Sequence, residues 1–91
     1  MESQSPMDAL EGREVVLDLA SPYVILGTFG GGDASHYIID NADVHDLRDT
    51  TTSRELYVRD AKRHGINANR KCVFVRKDGV VSLSSLADVI E

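Results

Sequence analysis

The chain has 91 residues, of which 42% are hydrophobic and 27% charged. This is the composition of one small globular domain, not of a disordered tail or a chain with two cores. No apolar run approaches the ~20 residues that span a bilayer, no secretory leader is evident, and the lone Cys72 excludes an internal disulfide, so a cytoplasmic protein is expected. The net charge of −5 counts against a general nucleic-acid binder, but it is uneven: residues 1–47 hold nine acidic groups and one basic residue, whereas residues 48–91 hold nine basic groups and six acidic ones.

Residues 1–5 are expected to fray up to a helix start at Ser5-Pro6-Met7-Asp8. There Ser5 suits the N-cap, Pro6 the first helical position and Asp8 the acid of a capping box, with Gly12 able to end a helix over 6–11. From Arg13 the period becomes two. Val15, Leu17 and Leu19 point one way and Glu14, Val16 and Asp18 the other, which predicts a half-buried strand. Ser21-Pro22 breaks it, and Tyr23 to Phe29 is a second strand. Gly30-Gly31-Gly32-Asp33 carries turn chemistry, and His36 to Leu47 resumes extended structure.

In the stretch from Asp49 to Asn69, Thr52-Ser53-Arg54-Glu55 fits a capping box and His64-Gly65 a helix end, with Tyr57, Ala61 and His64 as a modest apolar stripe. Leu56-Tyr57-Val58 is also good strand material, and the reading taken is a helix over 52–64. Lys71 to Lys77 and Val80 to Ser84 follow as two strands joined by Asp78-Gly79, and Ser85 to Ile90 closes as a short helix or arm. The order predicts a mainly β fold in one domain. It is a small five-stranded, strongly bent antiparallel barrel with a short N-terminal helix and a helical insertion, residues 50–69, between the third and fourth strands. Bending also limits exposed edges, and Gly27, mid-strand and without a side chain, marks the sharpest point.

Several residues carry possible chemistry. Asp43 and His45, at i and i+2 on one strand, could share an ion, and His36, His64 and Asp46 lie within the same span of sequence, but nothing fixes a third ligand and no metal site is assigned. Gly30-Gly31-Gly32 precedes a strand and not the helix a phosphate loop requires. Cys72 reads as a small apolar filler in an alternating strand. No Ser-His-Asp spacing, carboxylate pair or cofactor fingerprint occurs, so no enzyme, cofactor or small-molecule substrate is expected.

The run Val15-x-Leu17-x-Leu19, then Gly27-Thr28-Phe29 and Asp33, with Ile39-Asp40-Asn41-Ala42-Asp43, resembles the first motif of Sm-like proteins, whose barrel is of the SH3-like type. Val75-Arg76-Lys77-Asp78-Gly79-Val80-Val81-Ser82-Leu83 resembles the second. The likeness covers residues 6–45 and 71–84. It departs at Pro22, where the family has glycine, at His36, where it has an RNA-contacting Asn, and at Lys77, which replaces the glycine of Arg-Gly. The resemblance implies a ring of copies with pore-lining loops. On that reading Asp33, His36, Tyr37, Arg76 and Lys77 would contact single-stranded RNA, with Asp33 and Arg76 matching by identity.

The expected function is a non-enzymatic homo-oligomeric assembly module. Its last strand (Val80, Ser82, Ser84) would pair with the Lys71, Val73, Val75 strand of the next subunit. An RNA-binding ring and a protein adaptor that uses the 52–64 insertion are the alternatives.

Overall fold

The computed structural model describes residues 5–91, so the expected fraying of residues 1–4 lies outside the described residues. Ser5 caps a 3₁₀ turn over Pro6–Leu10. Its hydroxyl accepts the Met7 N–H at 3.2 Å, and the Asp8 carboxylate accepts the Ser5 N–H at 3.1 Å. Gly12, at φ +80°, then redirects the chain. Six regular elements follow: β1 (Glu14–Leu19), β2 (Tyr23–Gly32), β3 (His36–Asp46), α1 (Arg54–His64), β4 (Arg70–Arg76) and β5 (Val80–Ser85). The strands form one sheet in the order β4-β3-β2-β1-β5, each antiparallel to its neighbour.

The bend expected at Gly27 is present. The β2–β3 ladder shifts register between Leu26 and Thr28 and again between Phe29 and Gly32, and Asn41 on the facing strand adopts φ +48°. A Cβ on Gly27 would lie 2.6 Å from Ile39 Cγ2, 2.9 Å from the Asp40 carbonyl oxygen and 3.0 Å from Ala42 Cα, so β3 crosses where only glycine leaves room. The bend does not close the barrel. No ladder joins β4 to β5, and each retains one unpaired edge.

The inner core is built from Val15, Leu17, Ile25, Phe29, Ile39, Ala42 and Val75, with Met7 and Leu10 of the N-terminal turn and Leu83 of β5 packed around it. A second core lies on the opposite face, where Val16, Val24 and Leu26 meet Val58 and Ala61 of α1 and Leu86 from the C-terminal segment. This corrects the half-buried reading of β1: Val16 is only 2% exposed, because the insertion folds back over the face assigned to solvent.

Three local expectations also change. β2 continues through Gly30–Gly32, and the turn falls at Asp33–Ser35, because the glycines can pass close under the β3 backbone while Asp33 supplies the turn-forming side chain. The helix N-cap is Ser53, one residue later than the box suggested, with its hydroxyl accepting the Leu56 N–H. Gly65, at φ +95°, ends α1 as expected, but its buried face is Val58 and Ala61, and His64 is exposed. No helix among the described residues is long and apolar enough to cross a membrane.

Candidate functional site

The β2–β3 and β4–β5 connections meet at one end of the sheet. Asp33 organises the first. Its Oδ1 accepts the N–H groups of Ser35 at 2.9 Å and His36 at 2.8 Å, and these two bonds hold its carboxyl below the usual carboxylate range. Ser35 Oγ lies 2.8 Å from His36 Nδ1, which fixes the imidazole beside the turn. The second connection is tied to the first by the Lys77 N–H, which donates to the Ser35 carbonyl at 2.8 Å. Register completes the grouping: His36 faces Arg76 and Tyr37 faces Val75 across the β3–β4 ladder.

All five residues assigned to RNA contact therefore share one end of the molecule, and each has a defined neighbour. Tyr37 packs on the inner core, its ring centroid 5.9 Å from that of Phe29, with the Lys77 ammonium 5.0 Å above it. Arg76 is exposed and pairs with Asp78 at 2.8 Å. A cavity of about 260 Å³ beside them is walled by Met7, Glu11, Phe29, Gly31, Tyr37 and Lys77. The patch is polar and of mixed sign, with two cations set against Asp33, Asp78 and Glu11.

The residues assigned to self-association fall on the two sheet edges, at opposite ends of the strand order. The β4 set shares one face by alternation, and a register shift beside Val81 splits the β5 set. Val73 and Val75 of β4 and Val80 and Leu83 of β5 turn to the inner core. Ser82 and Ser84 turn to the other face, where the Ser82 hydroxyl donates to Asp18 at 2.9 Å. Lys71 is exposed. The sequence reading passed over the most exposed apolar groups of these edges, Phe74 at 69% and Val81 at 71%. Alternation could have found Phe74, since it lies between two core valines. Val81 sits at a register shift that no pattern marks. Cys72 shares Phe74's face and is exposed, so it is not the apolar filler expected. Loss of hydration and the adjacent Asp40 carboxylate push its thiol above the ordinary value.

Asp43 and His45 lie together, but under α1. The Tyr57 hydroxyl donates to Asp43 Oδ2, Asn69 Nδ2 donates to Oδ1 at 3.3 Å, and the Tyr57 ring stacks on His45 with centroids 4.0 Å apart. Burial, followed by the bond to Asp43, raises the Tyr57 phenol strongly. This polar cluster fastens the insertion to β3. Among the described residues no group of three His, Cys, Asp or Glu side chains is placed to hold a metal ion.

No family model matches the chain, and no curated protein matches it. Solved structures do. The Sm protein of Pyrococcus abyssii, determined in complex with a uridine heptamer, superposes with a TM-score of 0.58 at 15% identity, covering 90% of this chain and 99% of its own. The SmAP (LSm) protein of Methanococcus vannielii gives 0.56 at 19%, covering 92% and 99%. A chain of the NatC complex bound to CoA gives 0.59 at 14%, covering 93% and 88%. With five antiparallel strands bent at Gly27, an N-terminal turn over the inner core and near full-length superposition on two Sm proteins, this chain has the Sm-like fold.

Proposed function

We propose that the chain is a non-enzymatic, self-associating Sm-like module whose copies join through the free edges of β4 and β5. The observation that carries this reading is the strand order, which leaves one unpaired edge at each end of a five-stranded sheet. Exposed, unpaired strands of six and seven residues invite pairing, and a head-to-tail contact between two different edges propagates until it closes. Neither edge is blunted by proline, and each displays a large apolar side chain. Sedimentation velocity at physiological salt tests it. Species at multiples of the 10.0 kDa chain mass are expected, and a single 10.0 kDa species at micromolar concentration overturns the reading.

A second reading, single-stranded RNA at the loop end, draws on the grouping of Asp33, His36, Tyr37, Arg76 and Lys77, and on the uridine heptamer held by the Pyrococcus abyssii protein. Titration with a short oligouridylate is the test. Affinity should fall as salt rises and fall further in Arg76→Ala, since phosphate contacts release counterions. Binding unchanged by that substitution counts against this site. The adaptor reading keeps only the outer face of α1, since Val58 and Ala61 pack internally while Leu56 is exposed, and a partner that stays bound when residues 52–64 are deleted would overturn it.

A further inference from the structure

Residues 86–91 lie along the flank of α1 that faces β1 and β5. Leu86 is buried in the second core and Val89 packs half-buried against it, whereas Ile90 is 87% exposed. After the Leu86–Asp88 turn the backbone is extended, with Val89 at φ −65° and ψ 126°, and residues 89–91 join no strand ladder. Side chains of the helix hold them instead. The Lys62 ammonium donates to the Val89 carbonyl oxygen, and the Arg63 guanidinium donates to the Glu91 carboxylate.

The bond from Arg63, ahead of the charges of Lys62 and Arg59, holds Glu91 below the usual carboxylate range. Arg59, Lys62 and Arg63, spaced i, i+3 and i+4 on the helix, thus act on one acid. Neither Arg59 nor Lys62 has an ion pair among the described residues. Beside Val89 and Ile90 a cleft of about 360 Å³ continues between α1 and the outer face of the sheet, lined by Val16, Val58, Arg59 and Ser84. Arg54 also lines it and donates to Asp18 at 3.2 Å.

We propose that this cleft receives an extended acidic peptide of a partner protein, with an aliphatic residue two positions before a carboxylate, and that residues 89–91 are its built-in competitor. The chain's own arm displays the recognition: an aliphatic side chain on the second core, a backbone carbonyl on Lys62 and a carboxylate on Arg63. With Glu91 lifted away, Arg54, Arg59, Lys62 and Arg63 stand against Asp18 and Glu55, and Asp18 already accepts from Arg54 and Ser82. Val16 and Val58 favour an aliphatic side chain over a phosphate backbone, which loses water there without replacement. A longer peptide also gains Arg59 and the cleft beyond the arm. A tethered competitor acts at roughly millimolar effective concentration, so outside peptides bind weakly until the arm is displaced. Such a site lies beside the Leu56 face of α1 and is independent of the strand edges.

The probe is a capped peptide copying residues 87–91, titrated to millimolar concentration against the full chain while the amide resonances of Val16 and Val58 are followed. Two full-length variants free the arm: Val89→Asp removes its apolar contact, and Glu91→Lys repels Arg63 while leaving both cores intact. Each freed variant should bind the peptide at least tenfold more tightly than the unaltered chain. Affinity equal to that of the unaltered chain overturns the competitor, and absence of binding to both variants overturns the cleft. In the Glu91→Lys background, Arg59→Glu should weaken binding tenfold or more and Leu56→Ser should leave it unchanged, whereas the reverse pattern moves the contact to the outer face of α1 and refutes this site. An oligouridylate that displaces the peptide from the freed chain reassigns the cations to phosphate and likewise overturns the proposal.

Discussion

Replacing Gly27 with alanine adds one methyl group at the point where β2 and β3 approach closest. The added carbon would meet Ile39 Cγ2 at 2.6 Å, the Asp40 carbonyl oxygen at 2.9 Å and Ala42 Cα at 3.0 Å. The first neighbour is a fully buried side chain with nowhere to swing, and the other two are backbone atoms of a strand laddered on both sides. Relief therefore requires moving β3, and overpacking of this kind costs about 3 kcal/mol. Alanine elsewhere restricts the unfolded chain and is neutral or slightly stabilising where the backbone tolerates it. Gly79→Ala is the control, since nothing lies within 4 Å of its Cβ and its φ is not positive. Urea unfolding followed by far-ultraviolet circular dichroism, at one fixed protomer concentration, should show a large drop in midpoint for Gly27→Ala and a change within ~0.5 kcal/mol for Gly79→Ala. Thermal melts should fall by roughly 12–24 °C for the first variant. Equal midpoints for the two variants would refute the view that the bend depends on a missing side chain.

The second core makes Val16 a buried residue, so Val16→Ala should cost about 2 kcal/mol in the same urea assay, and a value near zero would show that α1 does not cover that face. The Tyr57 phenol is raised in the folded chain, so the protonated form is the one that folding favours. Its contribution is fully present below the unfolded pKa of ~10 and is lost as pH climbs toward the folded value. Stability should therefore decline above about pH 10, and Tyr57→Phe should flatten that decline; an unchanged pH dependence would discount the bond to Asp43. Asp46 is held at about 2 by Arg48, chiefly through their side-chain hydrogen bonds. That interaction is present above the ordinary aspartate range and is lost as pH falls through about 2. Arg48→Ala should move the Asp46 carboxyl resonance titration back toward the ordinary aspartate value of 3.8, and an unmoved midpoint would discount the pair.

Much of this fold was legible because it rests on short-range chemistry. The Ser5 cap with Pro6 and Asp8 is a local hydrogen-bonding device, Gly65 ends α1 by a local backbone preference, and the five strands alternate where one face is apolar. Gly27 stood out because a glycine between Leu26 and Phe29 has no reason to be there except close approach. What stayed hidden depends on partners distant in sequence. Val16 reads as solvent-facing until Val58, some forty positions later, returns to cover it. Cys72 reads as an apolar filler until its face of β4, shared with Phe74, proves to lie on the surface. The turn was misplaced because three glycines are permissive of extended structure as well as reversal, and the residue that forms the turn, Asp33, follows them. At the loop end, the resemblance names Asp33, Arg76 and Lys77 without saying what else engages them. The Arg76–Asp78 pair and the engagement of Asp33 by its own backbone are contacts that no count of charges reveals.

The pairing of Val15 with Ser85 sets a kinetic condition on this small domain. β1 sits between β2 and β5, so one of its two ladders must wait for a strand seventy positions further along the polypeptide. Closing a loop of that size before any reward is collected makes for a high contact order and places folding nearer milliseconds to seconds than microseconds. Until β5 docks, a chain that has formed the β2–β3 hairpin and the β3–β4 ladder leaves Leu17 and Val15 without their last cover. Such an intermediate, with β1 exposed as an edge in place of β5, is the species in which aggregation would compete with productive folding.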